Sequence, residues 1–142
     1  MTHKICNRRE AGFTLVELLV VLVILGLLAA IVGPQLLKYI GSSRTQTSRV
    51  QIQNVVAGLE LFRLDVGRYP TPQEGLGALV TAPPTAPNWN GPYLRKPDAI
   101  RDPWGQAYLY TNPGKHGEVD VYTLGSDKAE GGTGEAQDVG SW

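Results

Sequence analysis

One carboxylate, Glu17, stands alone in an apolar run from Phe13 to Val32 that holds no other charge. Roughly twenty apolar residues make a helix of about 30 Å, the thickness of a bilayer hydrocarbon core. An ionised side chain in that setting is costly, so an acid kept there marks function and needs a partner. A second grouping lies near the other end of the chain. The segment from Leu124 to Asp138 offers Asp127, Glu130, Glu135 and Asp138 as hard oxygen donors, on a Gly-rich backbone able to turn its carbonyls inward. Such donors suit Ca²⁺, although the alternation of acids before a Gly that defines an EF-hand is missing. On spacing alone the segment reads either as a cation-binding loop or as a solvated acidic loop.

In front of the apolar run sits a short polar leader, residues 1–12, with Lys4, Arg8 and Arg9 against Glu10. Three readings are open. A secretory signal would be cut after the apolar region, near Ala29-Ala30 or Gly33. The run is long for that purpose, Glu17 would sit inside it, and Pro34 suits cleavage poorly. An uncleaved single-pass anchor is the second reading. The third is cleavage between Gly12 and Phe13, which would leave the whole helix on the mature chain. The basic leader predicts a cytoplasmic N-terminus, with the globular part across the membrane.

The pattern also predicts the elements that carry these groups. Residues 13–33 read as a transmembrane helix and 34–142 as a folded domain. Gly33-Pro34 predicts a kink or local melting, after which the helix resumes. Ile52, Val55, Val56, Leu59, Phe62 and Val66 recur at helical spacing, so the helix runs to about Val66 and stops at Gly67. Lys38, Arg44 and Arg49 suit the headgroup zone or contacts between subunits. In the loop region 67–106, Thr71-Pro72-Gln73-Glu74 is a capping-box pattern opening a short helix through Leu76, Leu79 and Val80. Trp89, Tyr93 and Trp104 read as core packing against the long helix, with a sugar-binding platform on Trp89 and Trp104 as the sharper alternative. Ala107–Tyr110 and Val119–Leu124 predict a hairpin over 107–124, followed by a C-terminal loop, 125–142. The fold class is therefore α+β: a long N-terminal transmembrane and stalk helix packed on a small antiparallel sheet, with a Gly-rich C-terminal loop.

Composition excludes several functions. Thirteen basic and thirteen acidic residues among 142 give no net charge, and without the leader 10 basic and 12 acidic residues would remain. No basic patch of nucleic-acid type exists. The single Cys, Cys6, lies in the leader with no apolar stretch before it, so neither a lipoprotein site nor a disulfide in the mature chain is expected. No Ser/His/Asp or Cys/His set and no phosphate-cradling loop is present, and His116 reads as a surface turn residue; no catalytic residue is assigned. Glu60 or Asp65 could pair with Arg95, Lys96 or Arg101 of a neighbouring subunit.

Gly12-Phe13-Thr14-Leu15-Val16-Glu17 resembles the processing site of type IV pilins and pseudopilins. The resemblance implies that a prepilin peptidase cuts after Gly12 and methylates Phe13, and that Glu17 is the fifth residue of the mature chain. Cleavage would create an ammonium group at Phe13, and Glu17 lies one turn along. An oppositely charged pair in low dielectric is far better than either charge alone. An intermolecular pair would fix the axial register as helices bundle into a filament. Pro34 would give that helix a flexible point.

The later motifs narrow the resemblance. Gly67-Arg68-Tyr69-Pro70-Thr71, Gly91-Pro92-Tyr93-Leu94, Asp102-Pro103-Trp104-Gly105, His116-Gly117 and Leu124-Gly125-Ser126-Asp127 are similar to the major pseudopilins of type II secretion, the general secretion pathway protein G family. That likeness implies a homopolymer, the periplasmic pseudopilus, growing from the bacterial inner membrane to drive folded proteins across the outer membrane. Implied partners are minor pseudopilins, the prepilin peptidase and the inner-membrane assembly platform. It also implies one calcium ion in the C-terminal loop, held by the side chains of Asp127 and Asp138 and the carbonyl of Leu124, with Glu130, Thr133 and Gln137 as further ligands. The runner-up is a type IV pilus subunit for adhesion or motility, against which the absent Cys pair counts. A membrane-anchored ligand-binding module is the alternative from another class.

Overall fold

The computed structural model describes residues 12–142, less the side chains of Leu37, Lys38 and Ile40. The leader, with Lys4, Cys6, Arg8 and Arg9, lies outside the described residues up to Ala11. The chain divides into two compact units, Met1–Leu37 and Lys38–Trp142. Helix α1 spans Leu15–Val66, 52 residues.

In the first unit, α1 carries Leu and Val on every side, so no face is polar. Its apolar side chains from Leu15 to Leu36 are exposed throughout. A helix apolar all round is stable only where its surroundings are apolar too. By length and composition α1 can cross a membrane.

Of the kink or local melting expected at Pro34, the melting is absent: α1 continues through the proline as helix. Proline deletes one i→i−4 bond and crowds one carbonyl, and the turns on either side retain theirs. In an apolar medium, melting would expose further unpaired backbone groups, which costs more than the single lost bond.

In the second unit the predicted stripe is the wall of the core. Ile52, Val55, Leu59 and Phe62 are fully buried, with Val56 and Val66 packed at the margin. Leu76, Leu79, Ala86, Leu94, Tyr108, Val121 and Val139 complete the cluster. Gly67 ends the helix with φ +82°, a conformation that costs a residue without Cβ little, and its amide donates to the Arg63 carbonyl at 2.8 Å.

The sheet has three antiparallel strands in the order β1-β2-β3, with β1 at Leu109–Thr111, β2 at Asp120–Thr123 and β3 at Val139–Gly140. Leu109 pairs with Tyr122 and Thr111 with Asp120; Thr123 pairs with Val139. The hairpin is thus present but begins later than the expected Ala107 and is shorter. Ala107 instead bridges to Arg101, and Tyr108 turns inward, its hydroxyl donating to Gln51 Oε1 at 2.7 Å. Burial pushes that phenol up to about 12. The third strand, inside the expected C-terminal loop, was not anticipated.

The region between helix and sheet is fastened by side chains. The Thr71–Glu74 box forms as expected: the Thr71 amide donates to Glu74 Oε2 at 2.6 Å and the Glu74 amide to Thr71 Oγ1 at 3.3 Å. The turn beyond it, Gly75–Leu79, is 3₁₀ rather than α. Arg68 grips the Glu74 carboxylate with two bonds of 2.7 and 2.8 Å, and the Thr85 hydroxyl adds a third. These donors, Arg68 first, hold that carboxyl well below the usual carboxylate range despite its burial. A depressed folded value contributes stability above the unfolded value and loses it as pH falls. Glu74→Gln should therefore cost about 1–3 kcal/mol at neutral pH. The gap from the parent should begin to narrow below about pH 4 and shrink progressively toward the depressed folded value. Denaturant unfolding at both pH values measures this; an unchanged gap at low pH would remove the charge from the account.

Trp89 and Tyr93 pack as the core reading expects. The Trp89 indole N–H donates to the Ala78 carbonyl at 2.7 Å, its ring meets Tyr93 edge-on, and Tyr93 meets Phe62 of α1 in the same way. The Tyr93 hydroxyl donates to Asp65 at 2.8 Å.

Candidate functional site

Two places hold the residues singled out by sequence, one in each unit. At the start of α1, Thr14 and Glu17 form a reciprocal cap. The Thr14 amide donates to Glu17 Oε2 at 2.8 Å, the Thr14 hydroxyl donates to the same oxygen at 3.0 Å, and the Glu17 amide donates to that hydroxyl at 3.2 Å. This is a capping box, in which threonine and glutamate three residues apart satisfy amides that a helix start leaves unpaired. The carboxylate also sits at the positive end of the helix dipole. Phe13, Val16, Val20 and Val21 surround Glu17 with an apolar groove. Glu17 is thus a fixed acceptor at a helix start, one turn from Phe13, among exposed hydrocarbon side chains. Thr14 was not singled out by sequence, although Thr14-x-x-Glu17 has the same pattern as Thr71-x-x-Glu74.

The second place is the C-terminal loop. Gly125, Lys128, Gly131, Gly132 and Gly134 all take positive φ. Four of the five are glycine, the residue that enters this region without steric cost. Asp138 closes the loop on itself: its Oδ2 accepts the Gly131 amide at 2.8 Å and its own amide donates to the Gly131 carbonyl at 3.3 Å. Its other oxygen, Oδ1, is buried with no hydrogen-bond partner. A buried acceptor left unpaired is uncommon and asks for an explanation such as an ion or water.

Leu124, Glu130 and Asp138 line one cavity of about 220 Å³, together with Asp120 and Trp142. Those three predicted ligands therefore share one cavity, which Lys115 and His116 also line. Asp127, Thr133 and Gln137 do not line it; Asp127 Oδ1 accepts the Ala129 amide at 3.2 Å on the exposed side of the loop. Among the described residues no three His, Cys, Asp or Glu side chains stand close enough to hold a metal. The donor set thus fits a hard cation only with backbone carbonyls supplying part of the shell, as Ca²⁺ accepts.

His116 is less free than a turn residue. Its ring stacks on Trp142 at 3.9 Å, 17° from parallel, and its Nδ1 lies 3.2 Å from Asp120 Oδ2. Asp120 is buried because the amides of Lys115, His116 and Gly117 all donate to its carboxylate. Burial pushes its pKa up, and those bonds and the His116 side chain together outweigh that push and hold it below the ordinary value. No sequence signal links His116 to a residue 26 positions away.

The acids proposed for intersubunit pairs are engaged at home. Glu60 accepts the Tyr69 hydroxyl at 2.7 Å and Asp65 that of Tyr93. Neither pairs with Arg95, Lys96 or Arg101 within the subunit, among the described residues.

Residues 35–142 match the family described as type II secretion system protein G, and residues 7–33 match the prokaryotic N-terminal methylation motif. The type II secretion system core protein G of Pseudomonas aeruginosa is 42% identical over 140 residues, 96% of this chain and 97% of that protein. Its counterpart in Vibrio cholerae is 43% identical over 141 residues, 95% and 93% of the two chains. The crystal structure of the major pseudopilin from the type 2 secretion system of enterohaemorrhagic Escherichia coli aligns with a TM-score of 0.59 at 32% identity, covering 70% of this chain and 87% of that one.

Proposed function

Because the chain belongs to the type II secretion system protein G family, we propose that it is the major pseudopilin of such a system, a structural, non-enzymatic subunit that polymerises into a pseudopilus. The observation that carries this reading is the lone carboxylate of Glu17, fixed at the start of an exposed apolar helix and within the residues that match the methylation motif. The anchor is membrane-bound; our reading places it in the bacterial inner membrane with the second unit in the periplasm. A prepilin peptidase would remove residues 1–12 and methylate Phe13. The new ammonium of Phe13 then gives the Glu17 carboxylate of a neighbouring copy a counter-charge in place of its Thr14 donors. Contacts with minor pseudopilins and with the inner-membrane assembly platform would begin and sustain growth.

We also propose one calcium ion in the C-terminal loop, with Asp127, Asp138 and the Leu124 carbonyl as principal ligands and Glu130, Thr133 and Gln137 as further ones. When bound, calcium supplies the positive charge that lets several carboxylates and carbonyls converge. The unpaired Asp138 Oδ1 supports this part of the reading.

Intact mass of the chain extracted from membranes tests the processing step. The expected product lacks the first twelve residues and carries one added methyl group. A chain that still begins at Met1 in a host with an active peptidase would overturn it.

A further inference from the structure

The C-terminal loop is tied to α1 at a single turn of helix. Thr45 is nearly buried, and its hydroxyl faces the Gly134 carbonyl at 3.1 Å and the Gly41 carbonyl at 3.2 Å. The Arg44 guanidinium lies 3.6 Å from Glu135 Oε1. Gly41 is buried, and a Cβ there would stand 2.6 Å from Glu135 Cγ, so the helix offers bare backbone where the loop leans on it. The opposite side of the same loop turn is held as well. The Ser126 amide donates to the Glu135 carbonyl at 2.8 Å, and a Cβ on Gly125 would meet that carbonyl at 2.6 Å. The turn Gly134–Ala136 is thus gripped between α1 and the first residues of the loop. Thr133 and Gln137, two of the residues assigned to the cation, flank this turn directly.

We propose that Gly41 and Thr45 are positioning residues for the cation site: the helix turn holds Gly134–Ala136 in place against the first residues of the loop so that the loop can close around the ion, and filling the loop in return orders the helix turn. This rests on the calcium reading above. Coupling between two sites is reciprocal, so a helix turn that improves cation affinity must itself be stabilised by the cation. Neither Gly41 nor Thr45 touches the cation, and both act through the Gly134 carbonyl and the Glu135 side chain.

The test uses the full processed chain in detergent, stripped with a chelator and titrated with calcium chloride in a calorimeter. Thr45→Val keeps the shape and loses the donor; Thr45→Ser keeps the donor. The expected result is affinity about fivefold weaker for Thr45→Val, as one hydrogen bond implies, and close to the parent for Thr45→Ser. Hydrogen exchange on the parent needs no variant. Calcium should slow exchange at amides 41–48 and leave amides 59–66 unchanged, a local effect that a merely structural role for Thr45 would not produce. Equal affinity in parent and Thr45→Val, or exchange at 41–48 indifferent to calcium that the parent demonstrably binds, overturns this proposal alone. A parent that gives no heat with calcium overturns the calcium reading and this proposal with it.

Discussion

Glu17→Leu is expected to yield a chain cut and methylated normally, present in the membrane at parental level, and unable to form any fibre. Leucine suits the bilayer better than glutamate, so insertion and stability should not suffer. What disappears is the one negative charge available to meet the Phe13 ammonium of the next copy. Left unpaired in a medium of low dielectric, that ammonium opposes helix packing, because burying a charge without its partner is strongly unfavourable. Glu17→Gln separates the cap seen in the structure from the proposed counter-charge. A glutamine oxygen can still accept the Thr14 amide and hydroxyl, so the capping box survives. It brings no charge, so fibres should be missing here too. Electron microscopy of sheared cells, with the intact mass of the same preparations, decides the matter. Fibres from Glu17→Gln at the parental count would show that the cap matters and the charge does not.

Removing calcium should be the second large effect. A ligand present at a hundred times its dissociation constant stabilises the folded state by about 2.7 kcal/mol. For a domain of this size that is a fall in Tm of roughly 10–20 °C on chelation. Asp138→Asn keeps an oxygen for the Gly131 amide and gives up the charge of the orphaned Oδ1. Its Tm should sit near that of the chelated parent and respond weakly to added calcium. Calorimetric melting of parent and variant, each with calcium and with chelator, provides the four values needed. Superimposable parental curves in both conditions would dispose of the ion.

Sequence patterning anticipated the parts of this fold governed by local rules. The stripe from Ile52 to Val66, the stop at Gly67 and the Thr71–Glu74 box each depend on neighbours within a few residues, and each is present. Strand β3 was missed because Val139–Gly140 is too short to alternate and pairs only through its place beside β2. The helix does not melt at Pro34 because apolar surroundings penalise unpaired backbone more than the one bond a proline removes, and the proline by itself does not signal those surroundings. In the candidate site, Glu17 announced itself as the one charge in a long apolar run. The ligand set of the loop came from family likeness; composition alone left a solvated loop open. The ties from Thr45 to Gly134 and from His116 to Trp142 depend on tertiary packing and had no local signal.

The outer strands of the sheet are three and two residues long. Any exposed edge is a template on which another chain can add its own backbone, and proteins guard against that by keeping edges brief. Copies anchored in one membrane plane, as the proposed function requires, would meet one another continually. With so little ladder to extend, sheet-to-sheet aggregation has almost nowhere to begin, and orderly association is left to the helix.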